Sequence, residues 1–264
     1  MNNTKPHTLA AALAQAWAEG LLLPASAWLA AVPTSDDAYL AQELLAHHLG
    51  WADVTSGQVR HWKSGGPSRE AALTHAPLAP RGVRAAKAGH ADFSDLQLRE
   101  PGIEAEIALR LGEDLSPARA AALSYEDACQ LIDAYTVSAE LVSSRWLEAG
   151  DAPALLRQAD CLSHGGLALG EWKPWRAQAR PDWQRLGCWI QRNQEAPKLS
   201  RGGHSLQDPA YLLPGFLRHL SRRGATVPAG TVVSTGAWAV QADLSAGDRL
   251  RVGFEGLGEL SLQL

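Results

Sequence analysis

The stretch Gly102-Ile103-Glu104-Ala105-Glu106-Ile107-Ala108-Leu109-Arg110-Leu111 has the period of a β-strand, with side chains alternating between two faces. Ile103, Ala105 and Ile107 point one way, and Leu109 and Leu111 continue that apolar side. Glu104 and Glu106 stand side by side on the other face. Like charges at that spacing repel, and burying either one unpaired is costly, so the pair calls for a cation. A second strand-like run, Tyr135-Thr136-Val137-Ser138-Ala139-Glu140-Leu141-Val142, carries Glu140 opposite Val137, Ala139 and Leu141. Three carboxylates from two strands would form an oxygen-rich site suited to Mg²⁺ or Mn²⁺, with positions left for water or substrate. By spacing alone, Glu-x-Glu in a half-exposed strand is more often a solvated face, and the rest of the chain has to decide between the two.

The 264 residues suffice for one large domain, or one domain with an appendage. With 46% apolar and 20% charged residues, the composition is that of a globular protein rather than a disordered one. A net charge of −4 argues against nucleic acid or an anionic membrane as the main partner. The three cysteines, Cys129, Cys161 and Cys188, are odd in number and widely spaced. They suggest neither a disulfide framework nor a zinc site, which fits a reducing cytoplasm. Leu21-Leu22-Leu23 lies close to Glu19 and Pro24 and is too short for a membrane span. A cytoplasmic protein is expected.

Outward from the two strands, residues 7–31 predict helix broken at Gly20 and Pro24. A further helix starts at Thr34-Ser35-Asp36-Asp37 and stops at Gly50. Gln58 to Gly66 reads as a short strand running into a glycine turn, and residues 67–100 read as an irregular, mobile loop or lid. Short helices are expected from Ser116-Pro117 and over Ser124 to Asp133. Asp160-Cys161-Leu162-Ser163-His164-Gly165-Gly166 reads as a polar turn before a strand at 167–170. Pro209 to Arg223 has the stripe of an amphipathic helix, and the chain from Val227 onward is β-rich. Strands with segregated helices and no βαβ rhythm predict an α+β fold. Its expected parts are a helical N-terminal portion, residues 1–66, and a β-rich catalytic portion, residues 67–264, continuous with it.

Several motifs, taken in order, resemble those of the fumarylacetoacetate hydrolase superfamily. They are Ala38-Tyr39-Leu40-Ala41-Gln42, Trp62-Lys63-Ser64-Gly65, the Glu-x-Glu strand, Ala139-Glu140-Leu141-Val142 with Ser144-Arg145, Ala159-Asp160 with Ser163 and Gly165, Ser234-Thr235-Gly236, and Gly256-Leu257-Gly258. The similar branch is that of the 2-keto-4-pentenoate (2-hydroxypentadienoate) hydratases and 4-oxalocrotonate decarboxylases. The resemblance implies a rolled mixed β-sheet with a smaller helical N-terminal portion, assembled into a homo-oligomer. It implies Glu104, Glu106 and Glu140 as ligands of Mg²⁺ or Mn²⁺, and a small 2-keto or 2-hydroxydienoic acid as substrate.

Within that resemblance Lys63 is the candidate ammonium beside the substrate's enolate oxygen or carboxylate. Asp160 is a candidate to hold or activate water, or to fix the geometry around Lys63. Ser163, Thr235 and Gly236 are candidate donors to the substrate carboxylate, whereas His164 is expected to be structural. The chain also departs from the family. Cys161-Leu162 replaces the hydratases' Asn-Ala, Gln207-Asp208-Pro209 stands where they have Gly-His-Pro, and arginines at 81 and 84 lie where an acidic residue is usual. Arg81 or Arg84 could therefore pair with a second substrate carboxylate, as a decarboxylase would need. The expected activity is a metal-dependent hydro-lyase. The alternatives are a decarboxylase, an acylpyruvate-type carbon–carbon hydrolase, or a catalytically inactive partner of a homologous enzyme.

Overall fold

The computed structural model describes residues 4–52 and 57–264. Helix α1 (Thr4–Glu19) is followed by α2 (Ser35–His48), whose N-cap Thr34 accepts the Asp37 N–H at 3.2 Å. The strand β1 (His61–Gly65) precedes β2 (Thr74–Pro77), β3 (Val83–Ala85), β4 (His90–Asp92) and β5 (Gly102–Leu111). Next come α3 (Pro117–Ala121), α4 (Tyr125–Gln130), β6 (Ile132–Val142), α5 (Ala154–Ala159), β7 (His164–Leu169) and β8 (Lys173–Pro174). The chain closes with β9 (Gly187–Arg192), β10 (Lys198–Arg201), α6 (Leu213–Ser221), β11 (Val232–Gln241), β12 (Arg249–Phe254) and β13 (Gly258–Gln263).

Among the described residues the strands form two mixed sheets. One runs β2-β1-β11-β5-β6-β7-β3, with β8 beside β6, and the other runs β10-β9-β12-β13-β4. The apolar faces of β5 and β6 supply Ile103, Ile107, Val137 and Leu141 to a core shared with Ile190, Leu250, Val252 and Leu260 of the second sheet. Phe216 and Leu217 of α6 join the same core. The alternation expected for residues 102–111 is thus the one observed. Helices α1 and α2 bury Leu9, Leu13, Ala38 and Leu45 against Trp146, Leu156 and Cys161, and so cover the segment that follows β6.

The structure differs from expectation over residues 67–100. Instead of an unpaired lid, that stretch holds β2 on β1, β3 on β7 and β4 on β13. Strands of three or four residues are too short for a period of two to show. The late helix starts at Leu213 rather than Pro209, because Asp208 Oδ1 accepts the Ala210 N–H at 2.8 Å and turns the chain before Pro214 enters the first helical turn.

An imidazole pair sits where β2 meets α6, with His75 buried and His219 half-buried. His75 Nδ1 lies 2.8 Å from Ser64 Oγ, and its ring centroid is 4.6 Å from that of His219, which also packs at 4.3 Å against Tyr39. Burial, helped by the Arg222 charge, pulls His75 down to about 4. Burial, His75 and Arg222 pull His219 down to about 2. Both rings are therefore neutral in the fold at pH values where the unfolded chain protonates them. Their contribution is complete above the unfolded value near 6.5 and is lost as pH falls below it, at about 1.4 kcal/mol per pH unit for each ring. By urea unfolding, the share of stability owed to these two rings should be about 2–4 kcal/mol lower at pH 5 than at pH 7. His219→Phe should remove about half of that difference, and an unchanged pH dependence in the variant would refute the assignment.

Candidate metal and substrate site

Antiparallel pairing sets Glu104 of β5 opposite Glu140 of β6, and Glu106 opposite Ser138. One oxygen from each of Glu104, Glu106 and Glu140 lies within 4.8 Å of the others. Glu106 and Glu140 are buried, while Glu104 is partly exposed. Lys63 reaches the group from β1, which lies beyond β11 in the same sheet. Its Nζ is 2.7 Å from Glu140 Oε1 and donates to the Leu162 carbonyl at 3.2 Å. On the other flank, the Ser234 hydroxyl and the Gly236 N–H both donate to Glu106 Oε2, the latter at 3.1 Å. β11 is irregular between Ser234 and Ala237, and Gly236 there has φ 103°, a conformation that glycine adopts without the Cβ penalty.

The electrostatics set these groups apart from an ordinary surface pair. Burial pushes Glu106 well above the usual carboxylate range, and the Glu140 and Glu104 charges add to it. Burial also raises Glu104, against the pull of the Lys63 ammonium. For Glu140 burial is outweighed by Lys63 and His164, which hold it below the usual range. Burial would lower Lys63, but Glu140, Glu104 and Glu106 together raise it, so it stays an ammonium. Three carboxylates thus share one cation, and Glu140 Oε2 is buried with no hydrogen-bond partner. Hard oxygen donors, surplus negative charge and an orphaned oxygen fit a divalent cation of the Mg²⁺, Mn²⁺ or Ca²⁺ kind.

The other candidate residues divide. Ser163 is half-buried, and its hydroxyl has no hydrogen-bond partner among the described residues, which leaves it available. Asp160 does not offer a free carboxylate. It is buried, with Arg145 Nε 2.5 Å from Oδ1 and the Arg145 N–H donating to Oδ2 at 3.0 Å. Both oxygens are engaged, so the expected activation of water gives way to the other reading, that Asp160 fixes geometry. Thr235 is also corrected: its hydroxyl is buried and donates to the Ile107 carbonyl at 2.8 Å. The Gly236 N–H is given to Glu106, so the turn holds that carboxylate, and neither this N–H nor the Thr235 hydroxyl is free to donate elsewhere.

Arg84 lies 2.7 Å from Asp95 and stacks over Phe93, while Arg81 lies 3.6 Å from Asp95 and is largely exposed. Neither contacts the three glutamates among the described ion pairs. His164, expected to be structural, lies 3.4 Å from Glu140 Oε1 through Nδ1. The contribution of Ser234 was not foreseen, although it sits inside a quoted motif, because a strand-interior serine carries no signal of what it faces. A cleft of about 510 Å³ opens between α1 and the loops at 79–82, 95–99 and 143–145. Trp17, Trp51, Arg99 and Arg145 line it, and the three glutamates do not.

Comparison with known proteins agrees with this architecture. The profile of the Fumarylacetoacetate (FAA) hydrolase C-terminal family matches residues 53–264. The 2-keto-4-pentenoate hydratases 1 and 2 of Dechloromonas aromatica (strain RCB) are each 30% identical to this chain, over 165 and 167 residues. Those alignments cover 62% of this chain and 60% and 61% of the two hydratases, so the chain spans about three-fifths of the curated relatives it matches. The solved structure of 4-oxalocrotonate decarboxylase from Pseudomonas putida G7, complexed with magnesium and adipate, aligns with a TM-score of 0.81 at 23% identity. That alignment covers 100% of this chain and 98% of the decarboxylase, and it establishes a common fold.

Proposed function

The chain belongs to the fumarylacetoacetate hydrolase family, and on that premise we propose that it is a divalent-metal-dependent hydro-lyase acting on a small 2-hydroxydienoic or 2-keto acid of the 2-keto-4-pentenoate type. The observation that carries this reading is the convergence of Glu104, Glu106 and Glu140 within 4.8 Å beside the Lys63 ammonium. A cation held by these carboxylates, Mg²⁺ or Mn²⁺ in this reading, supplies Lewis acidity toward the adjacent carboxylate and keto oxygens of such an acid.

The chain's own groups supply the rest. Lys63 places a fixed positive charge where negative charge develops on the substrate's enolate oxygen, and burial strengthens it by removing competing water. Ser234 and Gly236 hold Glu106 in one orientation, so little reorganisation accompanies binding. The Ser163 hydroxyl remains to donate to the substrate carboxylate. Protonation of a dienol at its terminal carbon gives an α,β-unsaturated ketone to which water can add, while decarboxylation and carbon–carbon hydrolysis draw on the same stabilised enolate.

Two observations favour hydration of a monocarboxylic substrate over decarboxylation of a dicarboxylic one. Arg81 and Arg84 are directed to Asp95. The neighbouring small cluster, which includes Ala108 of β5 and Leu167 of β7, is apolar, with Leu78, Leu169 and Val232. The hydratase relatives support the same choice, and a decarboxylase or acylpyruvate-type hydrolase is the second reading.

The test is calorimetric titration of Mg²⁺ and Mn²⁺ into metal-free protein, with and without oxalate as an enolate mimic, followed by assay with 2-hydroxypenta-2,4-dienoate. Binding that tightens with oxalate, together with loss of dienoate absorbance, is the expected result. Tight binding with turnover only of 4-oxalocrotonate would replace hydration by the second reading. Absence of metal binding would leave an inactive member of the family.

A further inference from the structure

Cys161, Leu162 and Ser163 form a run of three left-handed residues, with φ of 50°, 53° and 60°, and none is glycine. Side chains with a Cβ seldom occupy that region singly, and a run of three persists only where the surroundings over-determine it. The surroundings here converge on one side chain. Arg145 Nη2 donates to the Asp160 carbonyl at 3.0 Å, on one side of the run, and Nη1 donates to the His164 carbonyl at 2.6 Å, on the other. Its Nε lies 2.5 Å from Asp160 Oδ1, and its guanidinium carbon lies 4.0 Å over the Trp17 ring of α1. The Ser143 N–H adds a bond to the Ser163 carbonyl at 2.7 Å.

The output of the turn faces the glutamates. Held in this shape, it directs the Leu162 carbonyl to Lys63 Nζ and delivers His164 Nδ1 to Glu140 Oε1. We propose that Arg145 is a positioning residue that clamps the left-handed turn at 161–163 and, through the Leu162 carbonyl, fixes the Lys63 ammonium in its working place. It touches neither the three glutamates nor Lys63 among the described contacts, and a lysine in its place could not span both carbonyls and the carboxylate, because it lacks the planar fork. The inference rests on Lys63 serving the substrate, but it can be tested without substrate or metal.

The test is the rate at which formaldehyde and cyanoborohydride methylate Lys63 in metal-free protein, read by peptide mass spectrometry. Lys5, Lys87, Lys173 and Lys198 serve as internal references. In Arg145→Lys, Lys63 should react about tenfold faster relative to the other lysines, and kcat should fall about tenfold or more with KM little changed. Leu250→Ala, in the core of the second sheet, should leave the relative rate of Lys63 unchanged although it destabilises the fold. In Arg145→Ala, guanidinium ion in the tens of millimolar, admitted through the cleft that Arg145 lines, should restore slow labelling where urea does not. If Arg145→Lys does not fold, Asp160→Asn gives the same reading, because it removes the carboxylate charge that holds the guanidinium between the two carbonyls. Unchanged Lys63 labelling in a folded Arg145 or Asp160 variant, or an equal rise in Leu250→Ala, overturns the inference. A wild-type protein that fails to turn over dienoates would overturn the proposed function and leave the labelling result standing.

Discussion

Lys63→Met is expected to cost metal-free protein about 3–5 kcal/mol of stability, most of which Mn²⁺ should restore. The ammonium is the close cationic partner of Glu140, a carboxylate with no exposed surface and one oxygen already without a hydrogen bond. Removing one partner of a buried pair leaves the other charge uncompensated, which costs more than the pair itself contributes. The remaining relief is for Glu140 to take up a proton, so the penalty should shrink as pH falls. A divalent cation supplies the missing charge directly, and urea unfolding with chelator and then with Mn²⁺ separates the two effects. A penalty the same with and without metal would show that the cation does not bind at Glu140.

Glu106→Gln should move the two observables in opposite directions. Mn²⁺ affinity should fall by at least about a hundredfold, since losing a ligand exceeds the tenfold-to-hundredfold loss typical of an outer partner. Metal-free stability at pH 7 should rise. Burial and the neighbouring glutamates raise this carboxyl in the folded state, so it binds protons more tightly folded than unfolded. Its favourable contribution is complete below the ordinary carboxylate value and is lost as pH rises through the folded value. Near neutral pH the ionised group therefore opposes folding, and an amide of the same shape removes that opposition while keeping an oxygen for Ser234 and Gly236. Calorimetry for affinity and thermal melts in chelator check both. A variant that is destabilised without metal would contradict the crowding argument.

The carboxylate pair was legible because two periodicities coincide in one strand: apolar residues at every second position, and glutamates at the positions between. Burial by a facing sheet then needed only the second such strand, around Glu140. Lys63 was legible from its motif, and its ion pair with Glu140 follows from β1 joining the same sheet. Which of the two readings of Asp160 applies was not legible, because a turn aspartate beside glycines gives no indication of its partner. Arg145 lies fifteen positions earlier and reaches Asp160 only after the chain doubles back through α5. Thr235 misled for a similar reason: a local irregularity in β11, not visible as a pattern, turns its hydroxyl to Ile107. Trp17 was one of ten tryptophans without a common stripe, and what distinguishes it, the guanidinium over its ring, is a contact across 128 positions of chain.

The pairing of β1 with β11 matches His61 to Val232, and that of β4 with β13 matches His90 to Ser261. During synthesis, then, the antiparallel pair of β5 and β6 can assemble with all three glutamates aligned while the strands that complete both sheets are still missing. Loop closure over such separations is slow, and unpaired strand edges are what aggregating intermediates expose. Until the C-terminal strands emerge, the acidic cluster has neither Ser234 nor Gly236 to hold it and no second sheet behind it. A nascent chain caught at that stage is crowded with like charge, and ambient divalent cations would then act on the order of assembly as well as on the finished protein.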